Sequence, residues 1–440
     1  LHTAIHSFPT RRSSDLLLSI LEREIELVDD PDEAVSYKFR VAELYVRHLE
    51  DVSRAIEYLK DILSVSPDHD LSIKLLEELL VGTAEPMQAA EVLEPLYQNT
   101  AEWRKLVGLI EVKLKNTEEA WGQVELLHQA AELLESDLYL DSPSEAFNMY
   151  ARALRIDPVN DTTLSHLDAL ANSTSRWADL ADLIDELTQK LEDDAALVML
   201  SLRVGAIYEE QLQNPDRAIE RYSRVLEVEQ ENREAVLKLD SLYQVTQRWE
   251  ALAGVLLKEV SLMEDPEQQL AVQFRLGQLY QNELNAPAKA VEVYREILAT
   301  EPSHDQTIAA LDEMFAQGTL RAEILEILEP LLQMQGEWTR LSTLYQRQLE
   351  TMSDRDERVS MMHKIAETME EKLIDPVEAF NWYCRAFAEN PSDERSGTDV
   401  ERLATGTDAW NELADLYEKL FGTFTDVDAK KLVAKRAARV

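Results

Sequence analysis

Apolar and polar residues follow one another along this chain with the period of a helix, and one stripe recurs five times. It reads "RAIEYLKDIL" (54–63), "EAFNMYARAL" (145–154), "RAIERYSRVL" (217–226), "KAVEVYREIL" (289–298) and "EAFNWYCRAF" (378–387). Each copy sets a small alanine near its start, an aromatic about four positions on and an apolar residue three or four beyond, which marks one buried helix face. Ahead of each stands another amphipathic stretch with Leu, Ala and Tyr at helical spacing, and behind it a proline or its equivalent. With only 11 glycines and 14 prolines in 440 residues, little is left for strands or long loops. The pattern predicts an all-α chain of paired helices.

A longer repeat lies over the short one. "EREIELVDDPDEAVSYKFRVAELY" (22–45) matches "LKEVSLMEDPEQQLAVQFRLGQLY" (257–280) at an offset of 235 residues, which also relates Trp103 to Trp338 and His128 to His363. Tryptophans at 103, 177, 249, 338 and 410 are spaced 74, 72, 89 and 72 apart, so the basic unit is about 72 residues. The 89-residue interval holds an additional stretch, "LRAEILEILEPLLQMQG", which reads as one extra helix at 320–335 with a twin at 87–100. A local irregularity is expected at both places. The expected organisation is one repeat array over 17–440, written as super-repeats 17–251 and 252–440.

These residues resemble the tetratricopeptide repeat, in large arrays of a bacterial type. The best copy, "FRLGQLYQNELNAPAKAVEVYREILATEP", places Leu276, Gly277, Tyr280, Ala290, Tyr294, Ile297 and Pro302 on the family's signature slots, with one extra residue in the turn between helices. Val204, Gly205, Tyr208, Ala218, Tyr222 and Val225 repeat it, although Gln230 replaces the closing proline. Ala55 with Tyr58, Ala146 with Tyr150, and Ala379 with Tyr383 carry the second-helix part. The small residue lets paired helices approach and the tyrosine fills the space beside it. The resemblance implies a right-handed superhelical solenoid of antiparallel helix pairs whose first helices line a concave groove.

The first sixteen residues stand outside the repeat. "HSFPTRRSSDL" is similar to the translation of a common sequencing adapter, and the internal alignment puts Ser14 where a tryptophan belongs. Residues 1–16 are therefore expected to be non-native. The chain also stops inside an expected helix, so both natural termini are expected to be missing, with any targeting signal or further domain.

Charge and chemistry narrow the function. Net charge is -41, from 85 acidic and 44 basic residues, and such a surface repels nucleic-acid backbones and anionic lipid. No apolar run reaches the roughly 20 residues of a membrane span. The single Cys384 excludes an internal disulfide, and no phosphate loop, HExxH, GxSxG or CxxC is present. His69 and His304 precede helices as turn or surface residues, with the neighbouring aspartate suited to the cap, and His128 and His363 lie inside first helices. No cofactor or metal is expected. The five repeated tryptophans are expected in the core, while Trp121 and Trp382 fall outside their register.

The reading is a non-catalytic protein-interaction scaffold, located by default in the cytoplasm. The groove positions implied by the family are Arg40, Gln129, Arg203, Arg275 and Lys364, two before the small residue; Glu43, Glu132, Gln278 and Glu367, one after it; and Glu135, Glu209, Glu210, Glu370 and Glu371 farther along. They suit a basic or mixed-charge peptide or protein segment. Pairing within helices, Arg40 with Glu43 and Lys364 with Glu367, is the competing account of the same residues. Two other functions fit the same text: the recruiting or regulatory arm of an enzyme whose catalytic domain is absent, and an RNA-processing assembly scaffold of the half-a-TPR type.

Overall fold

Short polar connections punctuate the helical text, and each sets the start of the next helix. The computed structural model describes residues 11–82, 85–423 and 427–438, and among them no strand occurs. Of the segment read as foreign, residues 1–10 lie outside the described residues; Ser14 is buried in the first helix and its hydroxyl has no partner.

By contact the chain divides into two compact units, one ending at Lys238 and the other beginning at Leu239. The first contains α1 (Arg11–Leu27), α2 (Pro31–Leu44), α3 (Val52–Val65), α4 (Asp70–Gly82), α5 (Pro86–Asn99), α6 (Trp103–Lys115) and α7 (Ala120–Glu135). It continues with α8 (Pro143–Ile156), α9 (Asp161–Thr174), α10 (Trp177–Thr188), α11 (Asp194–Ala206), α12 (Pro215–Val228) and the start of α13 (Arg233–Val245). In the second unit lie the end of α13, α14 (Trp249–Leu262), α15 (Pro266–Asn282), α16 (Pro287–Thr300), α17 (Asp305–Gln317) and α18 (Arg321–Gln335). It closes with α19 (Trp338–Leu349), α20 (Arg355–Glu367), α21 (Pro376–Glu389), α22 (Glu394–Thr407), α23 (Trp410–Thr423) and α24 (Val427–Ala437). Consecutive helices pack on one another from α1 to α12 in the first unit and from α14 to α24 in the second. The chain is an all-α helical-repeat protein, and each unit is a solenoid of stacked helix hairpins.

Two turn types alternate. Between a first and a second helix the chain passes through Glu50, Asp141, Gln213, Asn285 or Ile374, all left-handed with φ from 45 to 56°. The next residue caps the second helix; its N–H reaches the carbonyl six residues back in Asn214–Tyr208, Ala286–Tyr280 and Asp375–Met369, each at 2.8 Å. In three copies the last turn widens into a π turn, at 45–49, 207–211 and 368–372. A π turn inserts one residue into a helix; the copy at 274–302, where the sequence shows an extra residue between the helices, ends its first helix in a plain α-turn instead. The second turn type precedes each repeated tryptophan. Ala101, Ser175, Gln247, Gly336 and Asp408 are left-handed, and the following N–H bonds the carbonyl five back, as in Arg176–Ala171 at 2.9 Å. This is a Schellman closure, and Trp then opens the next helix.

The small-residue slot behaves as expected. A Cβ on Gly205 would lie 2.6 Å from Tyr222 Cε1, and one on Gly277 would lie 2.3 Å from Tyr294 Cε1. Both tyrosines are buried, and their hydroxyls donate to Glu209 and Gln281 at 2.9 Å. Copy one departs from the sequence reading. Leu59 takes the buried slot, while Tyr58 is half-buried and donates its hydroxyl to Glu22 at 3.3 Å. The reason is register: in "RAIEYLKDIL" the aromatic comes three residues after alanine instead of four.

Two further expectations are corrected, and the extra helices appear where the sequence placed them. The repeated tryptophans are half-buried rather than enclosed, because the first position of a helix lies at the edge of the stack; Trp103, Trp249, Trp338 and Trp410 pack against the core from there, and Trp103 lies tilted on Tyr139 at 4.6 Å. Trp382 is buried and Trp121 exposed. Histidine rather than aspartate caps α4 and α17: His69 and His304 Nδ1 accept the N–H of Ser72 and Thr307, each at 3.2 Å. The additional helices are α5 and α18, each with an internal proline, Pro95 and Pro330.

Candidate partner-binding face

The slot two residues before the close-packed Gly or Ala faces the neighbouring helix, and its charge is used there. Arg203 pairs with Asp168 of α9, Arg275 with Asp240 of α13 through contacts of 3.0 and 3.2 Å, and Lys364 with Glu329 of α18 at 3.1 Å. Each reach spans 35 residues of chain. Gln129 is neutral and exposed, and the glutamate at the same reach, Glu94, pairs with Lys113 instead at 2.5 Å. Arg40 is exposed and has no carboxylate within 4.0 Å among the described residues.

The acidic positions reach the other way. Glu209 and Glu210 hold Lys238 of α13 at 3.0 and 3.5 Å, Glu367 pairs with Arg395 of α22, and Glu370 takes Arg402 of α22 at 2.6 and 2.8 Å. Glu135 lies 3.5 Å from His166 Nδ1 and Glu371 3.8 Å from Lys372. Glu132 and Gln278 are exposed. Pairing within one helix is therefore not the rule. Glu43 does pair locally, with Arg47 at 3.1 Å rather than with Arg40, and Lys364 and Glu367 each look to a different helix. Two interlocking rows of charge thus run across neighbouring first helices. Burial works against the Lys238 charge, yet its bonds to Glu209 and Glu210 hold its pKa above the ordinary lysine value. The hydrogen bond from Arg402 keeps the Glu370 carboxyl below the usual range.

Between these rows in the second unit the same pocket is built twice. One, of about 250 Å³, has Trp249 as its wall, Leu252 and Leu256 as its floor and Arg275 with Gln278 at its rim. The other, of about 360 Å³, has Trp338 as wall, Leu341 and Tyr345 as floor and Lys364 with Glu367 at the rim. Every one of these residues has its counterpart 89 positions on. Glu329, Glu371 and Lys372 add charge to the second rim, with Lys372 Nζ 5.4 Å from the Trp338 ring centre. The sequence reading named the rims and missed the walls. The 89-residue spacing of the tryptophans was the available signal, but it suits core and pocket equally. The counter-charges Asp168, Asp240 and Glu329 were missed as well, although their fixed 35-residue spacing from a cation is written in the chain.

The family profile described as Tetratricopeptide repeat matches residues 271–304, the span from α15 to the cap of α17. The α15–α16 hairpin is thus a tetratricopeptide repeat within the helical array. Among curated proteins none matches the chain. Among solved structures, "Structure of Naa15/Naa10 bound to HypK-THB" aligns over 97% of this chain at 14% identity with a TM-score of 0.27, and this chain spans 66% of that one. "Crystal Structure of P58(IPK) TPR Domain at 2.5 A" aligns over 92% of this chain and 97% of its own at 14% identity, with a TM-score of 0.23. Likeness at that level carries no argument about activity or partner.

Proposed function

We propose that this repeat scaffold holds an extended basic or mixed-charge segment of a partner protein along its first-helix face. The observation that supports the reading is the duplicated pocket of the second unit. An apolar floor under a rim that carries Glu329, Glu367 and Glu371 in the second pocket, and Glu283 beside Arg275 in the first, suits a side chain with an apolar stem and a cationic head, such as arginine or lysine. Two such sockets in equivalent places suit a segment that offers such a residue twice. The inter-helix charge rows hold the rims in place, so little ordering entropy is lost on binding.

The test is a titration of the full chain with short peptides carrying two arginines, two norleucines or two glutamates at varied spacing. The arginine series is expected to bind tightest and to weaken with salt. Trp338→Ala and Trp249→Ala are each expected to weaken it roughly tenfold, the loss of a buried aromatic contact. Equal affinity for all three series, or no effect of either substitution, would sink the reading.

A further inference from the structure

The second helices repeat one pattern, and α12 departs from it at its centre. Where α3, α8, α16 and α21 carry Tyr58, Met149, Val293 and Trp382, α12 carries Arg221. Arg217 stands one turn before it and Arg224 one turn after, so three guanidinium groups share one side of a helix in a chain of net charge -41. Together with Glu220 and Glu227 of the same helix they line a cleft of about 660 Å³ closed on its other side by Thr188 and Gln189 at the end of α10. The cleft belongs wholly to the first unit and to the second-helix side, apart from the face described above.

The three arginines are held differently. Arg221 is the floor: its side chain is only 13% exposed, its Nη2 lies 3.4 Å from Glu220 Oε1, and its Nε lies 3.1 Å from Asp185 Oδ1. That contact is an ion pair without a hydrogen bond, since neither buried atom has a hydrogen-bond partner. The other oxygen of Asp185 is taken by the Tyr208 hydroxyl at 2.8 Å. Arg217 and Arg224 form the rim, half exposed, paired with Glu220 at 3.2 Å and Glu227 at 2.5 Å on their own helix. Exposed pairs of this kind exchange readily with other partners. A planar or tetrahedral oxyanion entering between the two rim groups meets guanidinium forks that can bind it through paired N–H donors. The field of the whole chain repels anions at large, so the cleft favours a ligand that offers matched geometry as well as charge.

We propose that this cleft binds an oxyanionic side chain, phosphate or clustered carboxylate, presented by an extended segment of a partner protein. Short Gly/Ser peptides bearing one phosphoserine, three consecutive glutamates or neither are titrated into the full chain by fluorescence anisotropy, at low and near-physiological salt. At least one charged peptide is expected to bind roughly tenfold tighter than the neutral one, as hydrogen bonds between charged groups allow. The double variant Arg217→Gln/Arg224→Gln is expected to abolish that preference, and Arg54→Gln, the equivalent of Arg217 on α3, to leave it intact. Both rim positions are half exposed, so the double variant keeps its helical circular-dichroism signal. Arg221→Lys retains charge without the fork and is expected to weaken binding too. Preference for the phosphopeptide names phosphate as the source, and preference for the glutamate peptide names carboxylate. Equal binding of all three peptides, or a preference that survives loss of both rim arginines, overturns the proposal.

Discussion

Glycine has two opposite meanings within a few turns of one another. Gly277 sits where a Cβ would strike the Tyr294 ring, whereas Gly254 in α14 has nothing within 4 Å of that position. Gly277→Ala must therefore shift a tyrosine that is fully buried, and overpacking of this kind costs about 1–3 kcal/mol. Gly254→Ala meets open space and removes the entropic cost of a glycine inside a helix, so it should stabilise by about 0.5–1 kcal/mol. Urea unfolding of both variants checks the pair: the shifts should have opposite sign, and a stabilised Gly277→Ala would contradict the close packing. Tyr58 makes a related point. The aromatic was legible in the sequence, but its burial depended on one residue of register that only the packed helix decided.

At the scale of elements, turns and helix junctions carry the instructive features. Four of the five Schellman turns before a tryptophan place a non-glycine residue in the left-handed region, with Ala101 at φ 57°, and the fifth uses Gly336 at 72°. Left-handed alanine costs roughly 1–2 kcal/mol, part of which is offset by the greater freedom glycine regains on unfolding. Ala101→Gly should raise stability by about 0.5–1 kcal/mol and Gly336→Ala lower it by about 1 kcal/mol; thermal unfolding measures both, and equal signs would refute the turn assignment. A second device joins successive repeats. His363 Nε2 meets the Ser396 hydroxyl at 2.6 Å, and His128 Nε2 meets that of Thr163 at 2.7 Å. Burial lowers the His363 pKa; Asp393 and Asp399 oppose this, and Arg395 reinforces it. Tyr383 packs tilted on the ring at 5.6 Å. A histidine depressed in the folded state releases its proton there more readily than in the unfolded chain. Its stabilising contribution is full above the unfolded value near 6.5 and is lost as pH falls toward the folded value. Stability should thus begin to fall as pH drops below about 6.5, and His363→Gln should flatten that slope in a pH series of denaturant midpoints. An unchanged slope would remove His363 from the account.

For the whole molecule the deciding quantity is the excess of 85 acidic over 44 basic residues. Even if every cation were paired, the remaining carboxylates would still repel one another. Many cations are in fact used in junctions between helices, such as Arg275 with Asp240 and Arg402 with Glu370. Salt weakens both terms, but exposed pairs contribute only about 0–1 kcal/mol each, whereas the repulsion is summed over the chain. Raising sodium chloride from low to physiological concentration should therefore raise Tm. A lower Tm would mean that the charge rows outweigh the net repulsion.

Helix class, the 72-residue unit, the 89-residue interval and the close-packed Gly–Tyr contacts were all legible along the chain, because local periodicity and nearest-neighbour stacking generate them. So was the row of groove positions, whose use in binding remains the proposal above. Structure alone decided which partner each charge takes. Lys364 could have paired with Glu367 three residues away, yet it reaches Glu329, 35 residues back, at 3.1 Å. It likewise decided that the repeated tryptophans stand half-buried, Trp249 and Trp338 beside pockets, and that Arg221 replaces an apolar side chain at the floor of a cleft. Such outcomes depend on which surfaces stacking brings to within a few ångströms, and side-chain ionic contacts are too weak and too interchangeable to be chosen by sequence spacing alone.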